Sequence, residues 1–125
     1  MNIVPIEWNT WLSEVYGSAL YEASIVGLTG KLDPDAVLGR FESTFRRNFY
    51  KYNNPEYDAI IKEARQTGDM DARRELYNQA QQILTDDAVA VFIMDPTLYR
   101  AVNNRLSGLL TYPIGFIDMK TVTVK

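Results

Sequence analysis

The stretch from Asn54 to Leu84 constrains this chain more than any other, because it carries two complete helix signals in succession. Asn54 can cap, Pro55 has the fixed φ suited to a first turn, and Glu56 and Asp58 would meet the positive end of the helix dipole. Tyr57, Ile60, Ile61 and Ala64 then mark one face. Gly68 ends that helix, and Asp69 can cap another in which Ala72, Leu76, Ala80, Ile83 and Leu84 recur at three- and four-residue steps. The spacing predicts two consecutive amphipathic helices whose stripes cover a core.

Around this pair the sequence alternates between strand-like and helical patterns. Ile3 to Trp8 places Val4, Ile6 and Trp8 on one side of a two-residue period, and Pro5 would put such a strand at an edge or near its start. Asn9 can cap a short helix with Trp11, Leu12, Val15 and Tyr16 at helical spacing, stopped by Gly17. Tyr21 to Leu28 reads as a mostly buried strand. Thr29 to Asp35 is then a strand-to-helix loop, with Gly30 permitting the turn and Asp33-Pro34 resembling an N-cap and first helical position. The helix that follows would turn Val37, Leu38 and Phe41 inward, before an irregular stretch from Arg46 to Asn54. Ala88 to Met94 is an apolar run of strand length ended by Asp95-Pro96, Leu98 to Val102 is a weaker strand, and Lys120 to Val124 alternates with period two. Ser107 to Asp118, with Gly108, Pro113 and Gly115, is the expected long loop or crossover. Strands alternating with helices predict an α/β fold, a sheet flanked by helices.

Composition narrows function. At 125 residues the chain has the size of one domain, and eight Tyr, five Phe and two Trp argue against disorder. A net charge of −3 gives no footprint for phosphate backbones or anionic lipid, so nucleic acid is not an expected partner. With no His and no Cys, the Ser-His-Asp and Cys-His arrangements and thiolate or imidazole zinc sites are closed. No catalytic residues, metal ligands or cofactors are expected, and the chain is read as a non-enzyme. No apolar run approaches the roughly 20 residues that span a bilayer. The first residues after Met1 lack a signal-peptide pattern, so the signal of an exported parent would lie outside this sequence.

Several pieces in order carry a resemblance: Tyr21-Glu22-Ala23, Gly27-Leu28-Thr29-Gly30 with Asp33-Pro34-Asp35, Tyr52-Asn53-Asn54-Pro55-Glu56-Tyr57-Asp58, and Arg73-Arg74-Glu75-Leu76-Tyr77 through Leu84. With the Ala88–Met94 run and Leu106-Ser107-Gly108-Leu109, they resemble the closing part of the family 5 extracellular solute-binding proteins, the dipeptide and oligopeptide type. The resemblance covers nearly the whole chain. It implies a fragment of the C-terminal lobe of a two-lobed, periplasmic-binding-protein type II fold, the substrate-binding subunit of an ABC importer. Such a protein closes around a peptide or other small solute and delivers it to a membrane permease, in the periplasm or outside the cell, in some cases as a lipid-anchored form. Residues 1–106 would belong to the second lobe, and 107–125 to a closing crossover and terminal strand that return towards the missing N-terminal lobe. The rival reading is a free-standing protein-interaction domain that uses its amphipathic helix pair.

The resemblance also selects candidate ligand contacts: Leu28, Thr29, Gly30, Lys31 and Asp33, in a loop at the carboxyl end of a strand, where α/β sheets commonly bind ligands. Without the resemblance, an ordinary connection with Asp33 as a cap explains the same residues. Peptide-binding relatives often carry a Trp at the position of Leu28 and an acidic residue near Lys31 that pairs with the peptide's amino group. Lys31 reverses that sign and points to a neutral or anionic solute. Arg46, Arg47 and Tyr50 form a weaker candidate group that could clamp a carboxylate or stack on a planar group, against the plainer reading of packed rings and surface charges.

Overall fold

Asn54 starts the central hairpin of the structure as its sequence dictates. This computed structural model describes every residue except Met1, Leu98, Thr111, Pro113 and Gly115. The Asn54 side chain accepts hydrogen bonds from the backbone N–H groups of Glu56 at 3.0 Å and Tyr57 at 3.2 Å, and Pro55 opens helix α3 (Pro55–Gln66). Asp69 accepts from the Ala72 N–H at 2.8 Å and starts α4 (Met70–Asp86). The two helices pack along their apolar stripes. Tyr57, Ile61 and Ala64 meet Tyr77, Ala80 and Leu84, and Leu38 and Phe41 close the core from the preceding segment.

Those last two residues lie on a short helix, α2 (Asp35–Leu38), and the 3₁₀ turn Gly39–Phe41 that continues it. The buried Tyr57 hydroxyl donates to the Leu38 carbonyl at 2.6 Å, which fixes α2 to α3 through the middle of the core. Desolvation pushes the Tyr57 phenol well above its usual range. At the open end of the hairpin, the Asp87 carboxylate accepts from the Tyr52 hydroxyl at 2.5 Å and from the Asn54 amide at 2.9 Å. Partial burial and that bond push Tyr52 up to about 12.

The N-terminal helix is wound more loosely than expected. Helix α1 (Trp8–Thr10) runs directly into a π-helical stretch, Trp11–Gly17. Its cap is Glu7, which accepts from the Asn9 N–H at 2.7 Å, in place of Asn9 itself. Residues five apart diverge on an α-helix but approach one another in this wider winding, so Trp11 and Tyr16 stack with centroids 5.7 Å apart and planes 15° apart. Trp8 also stacks on Trp11, at 5.2 Å, and the Trp11 indole N–H donates to Ser24 at 3.0 Å. The left-handed residue that ends the helix is Ala19, with φ 50°, and not Gly17.

The expected sheet is the main correction. The segments 3–8, 21–28 and 88–94 run without ladder partners, and so do the described residues of 98–102; Trp8 belongs to a helix. Tyr21 to Leu28 is not buried, since Ile25 is 79% exposed, and Val91 in the 88–94 run is 86% exposed. Their residue types suit strands, but a strand is stable only when a neighbour satisfies its backbone groups, and no such neighbour lies among the described residues. The described residues form one small antiparallel sheet, β1 (Leu106–Ser107) with β2 (Thr123–Val124), in the register Leu106 to Val124 and Ser107 to Thr123. Of the expected Lys120–Val124 strand only this last pair forms; Met119–Thr121 is a 3₁₀ turn. Gly108 is required where the chain leaves β1, because its φ is +78° and a Cβ would stand 1.9 Å from the Thr121 carbonyl oxygen. The described residues thus form a mixed helical fold with a small two-stranded sheet, compatible with the α/β class but without the larger sheet flanked by helices that the sequence predicts.

Smaller expectations also shift. Leu38 and Phe41 turn inward but Val37 remains 37% exposed, and in the α4 stripe Ala72 is exposed while Tyr77 takes a core place. Helix α4 ends in the hydrogen-bond pattern of a Schellman motif, with Val89 N–H to Leu84 C=O and Ala88 N–H to Thr85 C=O. Ala88 holds the left-handed position there, with φ 49°.

Candidate functional site

The loop from Leu28 to Asp33 follows a segment without ladder partners and leads into α2, so its position depends on how α2 is held. Helix α2 has Pro34 at its N-cap position, one residue after the expected Asp33, and Asp33 supplies a cap-like bond, its Oδ1 accepting from the Asp35 N–H at 2.9 Å. Both Asp33 carboxylate oxygens also accept from Arg73 Nη2, at 2.9 and 3.0 Å. The cap bond first, and then the guanidinium, hold this carboxyl below its ordinary range. Asp35 pairs with Arg65 at 2.7 Å, and the same guanidinium reaches Glu42 at 2.8 Å. Asp33-Pro34-Asp35 therefore reads both helices of the hairpin at its closed end, taking one arginine from the last turn of α3 and one from the first turn of α4.

Arg73 is itself held in place. Its Nε donates to the Ala64 carbonyl at 3.2 Å, its Nη2 to the Tyr77 hydroxyl at 2.9 Å, and its guanidinium lies 5.1 Å from the Tyr77 ring centroid. Neither Arg65 nor Arg73 stood out in the sequence as a site residue. The available signal was spacing: Arg73, Leu76, Tyr77 and Ala80 lie at steps of three and four, so Arg73 borders the buried stripe.

Leu28, Thr29, Gly30 and Lys31 are exposed, so the loop presents a hydroxyl, free backbone groups and an ammonium to solvent. Asp33 differs from them because its charge is already compensated by Arg73, and this suits a structural anchor better than a solute contact. The weaker candidates lie in other surroundings. Arg47 sits 5.4 Å over the Tyr16 ring and Arg46 is exposed. Tyr50 stacks on Phe41 at 4.3 Å and lies tilted against Phe49 at 4.1 Å, and burial raises its phenol. Tyr50 is thus occupied by packing, and Arg47 by a ring that is part of the fold.

A hollow of about 220 Å³ opens between α2 and α4, lined by Val37, Leu38, Phe41, Leu84 and Phe92 with Gln81 and Thr85. It contains no charged group and none of the loop residues. Among the described residues no cluster of three or more His, Cys, Asp or Glu is placed to hold a metal ion, and no helix is long and apolar enough to cross a membrane.

Comparison with known proteins gives this arrangement its context. Over nearly its whole length the chain is similar to the di- and tripeptide-binding proteins of solute-binding protein family 5, as the motifs implied. It is 30% identical to Di/tripeptide-binding protein 1 of Pseudomonas aeruginosa over 98% of the chain, which is 23% of that protein. It is 28% identical to the dipeptide-binding protein of Escherichia coli over 98% of the chain and 24% of that protein. With Dipeptide-binding protein DppE of Bacillus subtilis it shares 26% identity over 96% of the chain and 22% of the relative. The chain therefore spans about a quarter of these relatives, all of which are named as binding proteins and none as an enzyme. No family profile matches it.

Proposed function

We propose that this chain is part of the C-terminal lobe of a two-lobed solute-binding protein of an ABC importer, with no catalytic role. On this reading residues 1–106 belong to that lobe, and 107–125 lead back towards the other lobe. The similarity to peptide-binding proteins over 98% of the chain carries the proposal. Surface area supports it independently. A compact monomer of 14.3 kDa exposes about 6,800 Å², whereas this chain exposes 9863 Å². The difference of roughly 3,000 Å² is several times the ~800 Å² that one partner buries in an ordinary interface, and suits a segment woven into a larger fold. The rival reading, a helix pair that binds another protein, loses its surface, because Ala80 and Leu84 turn inward at 0% and 1% exposure.

In this proposal Leu28, Thr29, Gly30 and Lys31 face the cleft between the lobes, where the solute is buried in the full protein, and Lys31 favours a neutral or anionic solute. The partners are the solute, a membrane permease and the remainder of the same protein, in a periplasmic or extracellular setting. Titration calorimetry with a panel of dipeptides, tripeptides and acidic small solutes, on the protein encoded by this sequence with its flanking reading frame, tests it. Saturable one-to-one binding with negative heat-capacity change supports the assignment, and a panel without heat of binding removes it.

A further inference from the structure

We propose that Arg73, with Arg65, is a positioning residue that sets where the Thr29–Lys31 loop stands, acting through a twin carboxylate latch at Asp33 and Asp35. This takes the loop as the solute-facing segment proposed above, but its test reads loop order and not binding.

Isolated ion pairs on a surface hold little, since two flexible side chains must both be ordered. Here the ordering of one partner comes from elsewhere. Arg73 is fixed by the Ala64 carbonyl, the Tyr77 hydroxyl and the face of the Tyr77 ring before it meets Asp33. Tyr77 is in turn 4% exposed and belongs to the core, so the guanidinium is referenced to the packed interior of the hairpin. The segment it holds is also stiff. Pro34 fixes φ between the two aspartates, and Asp33 accepts from the Asp35 N–H, so anchoring Asp33 on α4 and Asp35 on α3 fixes the direction in which the chain leaves towards Lys31. Upstream of that anchor, the backbone N–H groups of Gly30, Lys31 and Leu32 meet no backbone acceptor among the described residues. The latch is the nearest fixed point the loop has. A carboxylate placed two residues from another thus serves geometry, because each engages a different helix.

The chain has no cysteine, so Lys31→Cys provides a single site for a nitroxide label. Electron paramagnetic resonance then reads loop mobility, with far-UV circular dichroism reporting helix content. Arg73→Gln is expected to raise label mobility by about twofold or more at unchanged helix content, and Arg65→Gln to do so as well. Arg74→Gln is the control, since its partner Asp71 lies 3.0 Å away on the same helix; it should leave the loop unchanged. Asp33→Asn, which keeps an acceptor for the Asp35 N–H but removes the charge, should raise mobility likewise, and combining it with Arg73→Gln should add little, since both remove the same contact; independent losses of packing would add. Unchanged mobility in Arg73→Gln, or equal mobility in Arg74→Gln, overturns the proposal. If Arg73→Gln loses helix content, Arg73→Lys replaces it; this keeps the charge but not the fork, and wild-type mobility there overturns the proposal equally.

Discussion

Tyr57→Phe isolates the bond that fixes α2, and with it the candidate loop, to the hairpin core. Tyr57 is 0% exposed and its hydroxyl donates to the Leu38 carbonyl at 2.6 Å. Phenylalanine keeps the ring in place and removes only the donor, so the cost is that of a buried carbonyl without its partner, about 1–3 kcal/mol. With a urea dependence of about 1–3 kcal/mol per molar, the unfolding midpoint should fall by about 1 M at neutral pH. The alkaline behaviour provides a second reading. Desolvation holds the folded Tyr57 phenol above the value of about 10 that it has when unfolded, so its neutral form is favoured in the fold. Its contribution is therefore fully present below pH of about 10 and is lost as pH rises towards the folded value, by up to ~1.4 kcal/mol per pH unit. The variant has no such group. The stability difference between wild type and Tyr57→Phe should accordingly hold from about pH 8 to about pH 10 and shrink from there to about pH 11, while the other raised tyrosines affect both proteins alike. Urea titrations followed by circular dichroism across that range are the assay. Equal stability at neutral pH, or a difference that stays constant with rising pH, would refute the reasoning.

Other outcomes follow from the same structure. Ala88→Gly should raise stability by about 0.5–1 kcal/mol, because φ 49° suits glycine and strains alanine, and a lower urea midpoint would contradict this. Asn54→Ala should cost about 1–2 kcal/mol, since it removes the α3 cap and one bond to Asp87, and an unchanged melting curve would count against it. The isolated chain should self-associate through its uncovered extended segments; a single monomeric species in sedimentation across a wide concentration range would oppose that. In the longer protein, Lys31→Asp should weaken solute binding more than Lys31→Ala, whose loss should be about 1–3 kcal/mol. Calorimetry showing tighter binding by Lys31→Asp would reverse the sign assigned to the solute.

The helical hairpin was legible in the sequence because everything that decides it is local. Asn54, Pro55 and Asp69 act within three residues of themselves, and the stripes of α3 and α4 find each other across one short turn. The strand-like segments failed for the opposite reason. Val, Ile and Phe in Ala88–Met94 state a preference, but a ladder is a property of two strands, and none pairs with this run among the described residues. The loop does lead into a helix, but the buried strand expected before it does not form, and Asp33 was read as a cap and candidate contact without its partner. The pairing with Arg73 spans 40 residues and has no local signature. Tyr57 was expected as a core residue; its hydroxyl bond to α2 depends on a fold that periodicity does not specify. In the N-terminal helix, spacing identified Trp11 and Tyr16 but could not show that a π-helical winding would stack them.

The apolar run 88–94 ends on charge at both sides, with Asp86 and Asp87 before it and Asp95 followed by Pro96 after it. These residues act as gatekeepers. Copies stacked in register, as in a cross-β fibril, would bring each aspartate within about 4.8 Å of its own equivalents, and repeated like-charge contacts oppose growth along the stack. Pro96 adds a position that cannot donate a hydrogen bond to the next layer. One partner strand lying alongside the run meets none of these repeats. The flanking sequence thus discourages open-ended stacking while leaving a single, closed pairing available.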